Sequence, residues 1–313
     1  MEASEANPAP HAVGELAAVE RLRRLLASPP AGDTWIGDDA AVVAPTAGRM
    51  LLTADAVVAG VHFDLAVVGL DDVGWKAVAA AVSDVAAMGG TPRYALVTVA
   101  GPPGTDLDGL YSVIAEAASH YACPVVGGDL TTATELAVSV AVAGESGGSA
   151  PVLRSGGRAG DVVFVTGPLG ASAAGLRRLR SGCDPADGLA RAHRRPAARV
   201  PEGTAARAAG ATAMIDVSDG LALDLHRLAD ASGVGVVLDV VPVAEGASTE
   251  EALGGGEDYE LVFTAPDAGL VRETFSAAGL SPPLPVGRCT ADPDERVVAG
   301  RPLPRAGWEH PWG

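Results

Sequence analysis

Aromatic residues are scarce in this sequence. Phe, Trp and Tyr make up 4% of the 313 residues, whereas hydrophobic residues as a whole make up 48%. Val, Leu and Ala must therefore fill the interior, and this apolar content excludes a disordered chain. The length suffices for about two domains of about 150 residues each, with a sizeable core in both.

Positive charge is the second shortage. Lys and Arg total 22 against 39 Asp and Glu, the net charge is −17, and Lys76 is the single lysine. So acidic a chain has no broad basic surface, so we expect neither nucleic acid nor an anionic membrane as a partner. If the protein handles phosphates, it needs another source of positive charge, and a divalent metal ion is the obvious candidate.

Cysteine is also scarce, and targeting signals are missing. Cys123, Cys183 and Cys289 are far apart and odd in number, so neither a disulfide framework nor a zinc knuckle follows. The first ten residues are acidic and Pro-rich, unlike a signal peptide. The uncharged stretch from Val162 to Leu176 is too short and too interrupted by Gly and Pro to span a bilayer. We therefore expect a soluble, cytoplasmic protein.

Strand and helix patterns alternate in both halves, which predicts an α/β (α+β) protein with two domains of similar size. We expect a disordered leader over 1–13, an N-terminal domain over 14–148 and a C-terminal α/β domain over 149–313. The division falls where Gly and Ser content rises and periodicity is lost. In the first half the predicted helices cover 15–27, 71–88 and 107–121, and the predicted strands cover 41–43, 50–53, 57–61, 94–100, 124–126 and 136–143.

Several familiar catalytic motifs do not occur. There is no G-x-x-x-x-G-K-[ST] loop, no G-x-S-x-G elbow and no H-E-x-x-H. These absences exclude a P-loop kinase, an α/β-hydrolase and a zincin.

Aspartates instead recur beside glycines and apolar runs, at the predicted ends of strands and starts of helices. Carboxylates that converge on one place repel one another unless cations neutralise them, and all-oxygen ligand sets suit Mg²⁺ or Mn²⁺. Taken alone, Asp38-Asp39 fits a turn, and Asp84 or Asp219 fits a helix cap, whereas Asp55 in an apolar segment is harder to explain structurally. Their joint occurrence favours a metal site. The segments are Gly37-Asp38-Asp39, Thr53-Ala54-Asp55, Ser83-Asp84, Gly127-Gly128-Asp129 and Asp216-Val217-Ser218-Asp219-Gly220.

Three further residues are candidates for ligand contacts. Glu257 follows three glycines, which would let the backbone approach a ligand closely, although the segment could be only a loop. His62 lies in an apolar run, where a histidine is more often a core or capping residue. Trp308, near the end of the sequence, could equally be a packing residue.

Seven motifs, in order over nearly the whole chain, resemble those of the thiamine-monophosphate kinase family. That family belongs to the superfamily of aminoimidazole ribonucleotide synthetase, selenophosphate synthetase and a hydrogenase maturation factor. The last motif favours this kinase family over its superfamily relatives. The motifs are Gly14-Glu15-Leu16, residues 37–41, residues 53–55 with 60–63, residues 75–77 with 83–89, Gly127-Gly128-Asp129, residues 216–221 and residues 255–261.

The resemblance implies transfer of the γ-phosphoryl group of ATP to thiamine monophosphate, with several Mg²⁺ ions, in thiamine diphosphate biosynthesis. It also implies a two-domain aminoimidazole ribonucleotide synthetase-like fold whose N-terminal domains pair in a dimer-spanning β-barrel, and hence a homodimer. The implied metal ligands are Asp39, Thr53, Asp55, Asp84, Asp129, Asp216, Asp219 and the backbone carbonyl of Ala54. ATP contacts would come from Gly128, Asp129, Arg154 and Ser218, substrate contacts from His62, Glu257 and Trp308, and the central catalytic carboxylates would be Asp55, Asp129 and Asp219.

The sequence departs from the family pattern at a few positions. Ala54 stands where the family usually has Ser or Thr, and Leu130 where it usually has Thr. These departures support one alternative, a degenerate nucleotide-binding protein. A second alternative also stays open, a superfamily relative that uses ATP to activate another substrate. Activation of selenide is disfavoured because the sequence has no Cys near its N-terminus. Amide cyclisation is disfavoured because the Gly256-Glu257-Asp258-Tyr259-Glu260 motif is present.

Overall fold

The structure is a computed structural model, and it describes residues 15–33, 35–36, 40–45, 48–184 and 186–310. The expected leader over 1–13 lies outside the described residues, as does Asp39. Within the described part of the chain, no helix is both long enough and apolar enough to cross a membrane.

The first half forms one sheet covered by helices. Val138, Val140 and Val142 alternate along one strand and are fully buried, because every second side chain points at the helices. The sheet order is β1-β4-β2-β3, antiparallel except for the parallel β2–β3 pair, and the sheet is open. Its elements are α1 (Glu15–Leu25), β1 (Met50–Val58), α2 (Leu70–Ala87), β2 (Thr91–Gly101), α3 (Leu107–His120), β3 (Val125–Thr132) and β4 (Ala137–Glu145).

The second half forms a seven-stranded mixed sheet with order β11-β10-β7-β9-β5-β8-β6. Its strands are β5 (Val162–Val165), β6 (Ala213–Asp216), β7 (Gly235–Leu238), β8 (Leu261–Ala265), β9 (Leu284–Thr290), β10 (Arg296–Val298) and β11 (Arg301–Pro302). Its helices are α4 (Ala171–Arg180), α5 (Gly188–Arg194), α6 (Val200–Ala208), α7 (Leu221–Ser232), α8 (Thr249–Gly254) and α9 (Ala268–Ala277).

Helix α2 joins the two halves. It is rich in alanine and almost entirely buried, so neighbouring backbones approach it closely. A Cβ at Gly203 of α6 would come 2.1 Å from the carbonyl oxygen of Ala86, so only glycine permits this packing. Trp75 Nε1 donates to the carbonyl oxygen of Pro196 at 2.8 Å, and Ser83 Oγ donates to Asp216 Oδ2 at 2.6 Å. The helix thereby presents side chains to the C-terminal half along much of its length.

The structure corrects the expected elements in four places. The predicted strands 50–53 and 57–61 are one strand, β1, so Asp55 lies inside a strand rather than at its end. β3 continues to Thr132 and therefore contains Asp129. Residues 41–43 form no strand within the described segment 40–45. The short helix α8 was not predicted, although Ser248 and Glu251 form the reciprocal capping box that marks its start.

Candidate active site

An acidic cluster lies where β1, α2 and β6 meet. β1 contributes Thr53 and Asp55, α2 contributes Asp84, and Asp216 ends β6. The Thr53 hydroxyl donates to the Asp84 carboxylate, and the Ser83 hydroxyl donates to Asp216. Residues 163 positions apart in the sequence therefore border one site between the two halves of the protein.

Burial and mutual repulsion disfavour charge in this cluster. Burial raises the pKa of Asp216 to about 7, and the negative charge of Asp84 adds to that rise. Burial also raises the pKa of Asp55 and Asp84, and the charges of Asp84, Asp219 and Glu257 raise the pKa of Asp55 further. The guanidinium of Arg154 opposes the shift at Asp84 and Asp216. Additional positive charge would stabilise the ionised cluster.

The donors fit a hard divalent cation. They are carboxylates and a hydroxyl, the oxygen ligands that Mg²⁺ and Mn²⁺ prefer. Among the described residues, no three His, Cys, Asp or Glu side chains converge tightly enough to hold an ion by themselves. Mg²⁺ in nucleotide-dependent enzymes usually takes one or two carboxylates and completes its shell with phosphate oxygens and water. Asp55, Asp84 and Asp216 are therefore suited to a cation that arrives with a phosphate ligand.

The turn between β6 and α7 carries Asp219. Asp224, buried in the first turn of α7, accepts hydrogen bonds from the Asp219 and Gly220 N–H groups at 3.0 and 3.1 Å. Arg227, one turn later, donates to Asp224 Oδ1 at 2.8 Å and also to the carboxylate of Asp219. Asp219 thus differs from the other acidic cluster residues in already having a cationic partner.

Glu257 enters the site from the segment between α8 and β8. Its backbone has φ +66°, an uncommon conformation for a residue with a side chain. Its carboxylate oxygens lie 2.9 and 3.1 Å from Nζ of Lys76, which is buried on α2. His193 of α5 places Nδ1 at 3.6 Å from Glu257 Oε2.

The C-terminal segment closes the side of the site near His62. The N–H of Trp308 donates to the carbonyl oxygen of Asp219 at 2.9 Å, and the Trp308 side chain is 48% exposed. His310 lies between Trp308 and His62, with ring centroids 5.8 and 5.3 Å away. Burial lowers the pKa of His62, and nearby Glu257 opposes that shift. An aromatic surface and a carboxylate therefore face the same space.

Gly128 and Asp129 lie at the other edge of the four-stranded sheet. They border an apolar cavity shared with Tyr111 of α3 and with α1. Since β3 and β1 are three strand spacings apart, Asp129 is about 14 Å from the β1 side of the cluster. A Cβ at Gly128 would come 1.8 Å from the carbonyl oxygen of Val97, so the site requires glycine.

The structure brings together most of the residues that the sequence and the family resemblance singled out. Asp129 and Gly128 stand apart from that group, and Asp39 lies outside the described residues. Ser218 is linked to Glu257 through its carbonyl oxygen, which accepts the Glu257 N–H at 2.8 Å. The residues grouped at the site are Thr53, Asp55, His62, Asp84, Arg154, Asp216, Ser218, Asp219, Glu257 and Trp308, with Ala54 between two of them on β1.

Sequence reasoning missed the residues that support the site. Lys76, His193 and Arg227 contact candidate site residues, and Tyr259 is buried among them. Lys76 had one available signal, because a lone lysine within an apolar helix needs a partner. No sequence signal identified His193 or Arg227. The partner of His193, Glu257, is far away in the sequence, and the spacing of Arg227 from Asp224 is that of an ordinary helix ion pair.

Both halves of the chain match known domains. Residues 37–146 match the AIR synthase related protein, N-terminal domain, and residues 158–300 match the AIR synthase related protein, C-terminal domain. The chain is therefore an AIR synthase related protein with both of that family's domains.

Individual relatives show which family within this class the chain resembles. The thiamine-monophosphate kinase of Mycobacterium tuberculosis is 38% identical over 272 residues, which cover 82% of each chain. The thiamine-monophosphate kinase structure from Stenotrophomonas maltophilia K279a has a TM-score of 0.78 at 30% identity, covering 92% of this chain and 98% of its own. AaThiL complexed with AMPPCP and TMP has a TM-score of 0.75 at 32% identity, covering 97% and 99%. The chain belongs to the thiamine-monophosphate kinase family.

Proposed function

We propose that this protein transfers the γ-phosphoryl group of ATP to thiamine monophosphate, forming thiamine diphosphate and ADP. The observation that carries the proposal is the acidic cluster of half-buried Asp55 and Asp84 with buried Asp216 between the two halves, in a chain of this family. The structure of a relative with the same fold, AaThiL, contains AMPPCP, an ATP analogue, together with TMP, the acceptor. The proposed class is thus a phosphotransferase with a phosphate group as acceptor.

The acceptor chemistry explains why no strong general base is needed. A phosphate oxygen is already anionic at neutral pH, so the obstacle is repulsion between two polyanions rather than proton removal. Bound Mg²⁺ would neutralise phosphate charge and offset the charge that develops during in-line transfer. Asp55, Asp84, Asp216 and Asp219 would hold the ions, and the guanidinium of Arg154 would supply a fixed positive charge to ATP.

Thiamine monophosphate and ATP would bind on different sides of the acidic cluster. Glu257 would accept from the aminopyrimidine or balance the thiazolium, and Trp308 would add stacking or cation–π attraction beside His62. Gly128 and Asp129 would contact ATP from the apolar cavity, with Ser218 on the opposite side. Asp39 would complete the metal ligands, as the family resemblance implies.

We also propose that the protein forms a homodimer through its four-stranded sheet, building a barrel across the interface. The support is the sheet face turned away from α2, where Leu52 and Leu96 are 74% and 46% exposed. β1 is an edge strand of this sheet in the described part of the chain, and exposed apolar edges favour association. The domain division at 148/149 and a cytoplasmic location stay predictions.

The proposal is tested by incubating the purified protein with ATP, Mg²⁺ and thiamine monophosphate and measuring thiamine diphosphate by chromatography. We expect product that depends on the metal ion. ATP binding without product would favour a superfamily relative with another substrate or a degenerate nucleotide-binding protein. Failure to bind ATP or metal would contradict the assignment of the acidic cluster.

A further inference from the structure

Lys76 is an unusual residue in this protein. It is the single lysine of the chain, it is 2% exposed, and it lies on α2 in the N-terminal half. Its Nζ reaches both carboxylate oxygens of Glu257, 181 positions later, at 2.9 and 3.1 Å. A buried ammonium group is costly unless it is paired, so this contact ties the lysine to one carboxylate.

The partner carboxylate is held in a demanding backbone conformation. Glu257 and Tyr259 have φ values of +66° and +52°, which are unfavourable for residues with side chains. The Glu257 N–H donates to the Ser218 carbonyl at 2.8 Å, and the Tyr259 N–H donates to the Val217 carbonyl at 2.9 Å. A Cβ at Gly256 would come 2.5 Å from the Ser218 oxygen. Glu257 is therefore anchored to the loop that carries Asp219.

His193 does not contribute a positive charge that neutralises Glu257. Burial lowers the pKa of His193 to about 3, so its ring is neutral near pH 7. Its Nδ1 is 3.0 Å from Ser172 Oγ and 3.6 Å from Glu257 Oε2, so both groups face the same ring nitrogen. In a catalytic Ser-His-carboxylate triad, the serine and the carboxylate contact opposite nitrogens of the histidine ring. Ser172 and Glu257 face the same nitrogen of His193 and Ser172 is buried, so these three residues do not form such a triad.

Glu257 also has a negative neighbour that Lys76 offsets. Asp55 lies close enough for the charge of Glu257 to raise its pKa. Without the ammonium group, these carboxylates would repel each other in a half-buried space, and the Glu257 side chain would turn away from its present position. Among the described residues, Lys76 is the only lysine or arginine within ion-pair distance of Glu257.

We propose that Lys76 is the positioning residue for Glu257, holding this carboxylate in the orientation that receives the thiamine portion of the acceptor. The inference rests on the proposed function, and it adds a specificity element that spans both halves of the chain. Lys76 touches Glu257 rather than the reacting phosphates, so its loss should affect binding of the acceptor more than binding of ATP.

Steady-state kinetics of Lys76→Met provide the test. We expect the KM for thiamine monophosphate to rise at least about tenfold, the scale of losing one partner of a buried charge pair, while the KM for ATP changes less than about twofold. Lys76→Arg should recover part of the loss because it keeps the charge. Arg21→Met, which breaks the exposed 3.1 Å pair with Asp108, is the matched control and should behave like the wild type.

A double-mutant cycle with Glu257→Gln keeps the test informative if Lys76→Met folds poorly. The pair Lys76→Met with Glu257→Gln removes both charges, so it should fold, and Lys76→Met should add little to the KM defect of Glu257→Gln alone. A further rise of about tenfold in the KM for thiamine monophosphate when Lys76→Met is added to Glu257→Gln would overturn the inference. An inactive wild type would instead contradict the proposed function.

A spectroscopic readout uses the uniqueness of the lysine. Selective ¹⁵N-lysine labelling yields one side-chain ammonium resonance, that of Lys76. We expect it to shift when thiamine monophosphate is added and in the Glu257→Gln variant, but to move little with an ATP analogue alone. A resonance unaffected by saturating thiamine monophosphate would contradict a positioning role.

Discussion

The buried and half-buried carboxylates along the junction of the two halves fall into two groups. Asp72 and Glu260 are paired with arginines: Arg194 Nε lies 2.6 Å from Asp72, and Arg199 contacts Glu260. Asp55, Asp84 and Asp216 have no lysine or arginine within ion-pair distance among the described residues. The same junction thus contains carboxylates that the fold has already neutralised and carboxylates left for a ligand, which separates structural from functional acids.

The largest effect should follow from removing an unpaired carboxylate. Asp55→Ala is expected to lower turnover by at least about 10², the scale of losing one preorganised electrostatic group. The free energy of unfolding without metal should stay equal or rise, because the variant relieves repulsion by Asp84 and Asp219. Turnover and urea unfolding are measured on the same preparations.

Asp239→Asn is the control for that variant, because Asp239 is 70% exposed and lies at 3.8 Å from Arg288. It should match the wild type in both measurements. Wild-type turnover in Asp55→Ala would remove the basis for separating the two groups.

The next effect concerns a paired carboxylate and appears in stability. Arg199→Met leaves Glu260, which is 5% exposed, with the Thr166 hydroxyl as its main remaining partner. We expect a loss of about 2–3 kcal/mol in the free energy of unfolding, since an uncompensated buried charge is costly. Turnover per folded molecule should stay close to that of the wild type. Urea denaturation and active-site-normalised assays separate the two quantities.

Adding Glu260→Gln to Arg199→Met should restore much of that stability, because no buried charge is then left unpaired. A stable Arg199→Met protein with low turnover would show the opposite, namely that this pair belongs to the functional group.

A smaller effect should appear in the pH dependence of stability. His193 has a folded pKa of about 3, against about 6.5 in an unfolded chain. Between these values the unfolded chain binds a proton that the folded protein does not, so stability falls as pH drops from 6.5 towards 3. From pH 6.5 to pH 5, His193→Gln should therefore lose less stability than the wild type, by about 2 kcal/mol. Urea unfolding at both pH values measures the difference, and equal losses would mean that His193 does not stay neutral.

The sequence was enough to predict the two-part α/β organisation, since hydrophobic periodicity and glycine breaks are local signals. It also singled out Asp55, Asp84 and Asp216 as acids in unusual surroundings. The predicted strand through Thr53 and Asp55 was divided in two, because Ala and Asp are both depleted in strands and only pairing with β4 fixes Ala54 and Asp55 there.

The grouping of the site residues could not be predicted from the sequence. Gly128-Asp129 resembles the other acidic motifs, yet strand order puts it at the opposite edge of the sheet from β1. Lys76 and Glu257 meet only because α2 packs against the C-terminal half. Whether an acid is paired depends on such tertiary contacts, so the distinction between the two groups exists only in the folded protein.

Asp219 tests that distinction, because it is a candidate metal ligand that already has a cationic partner in Arg227. Arg227 also forms an ion pair with Asp224, so the arginine keeps a carboxylate partner when a metal ion binds Asp219. Removing it in Arg227→Met should make Asp219 more available and lower the Mg²⁺ concentration for half-maximal activity by about threefold, the scale of a partly exposed ion pair. Titration of metal-dependent turnover at saturating substrates, with Arg227→Lys as the charge-conserving control, gives the value. A higher Mg²⁺ requirement in Arg227→Met would show instead that the arginine orients Asp219 for the metal, and Asp219 would then belong with the paired carboxylates.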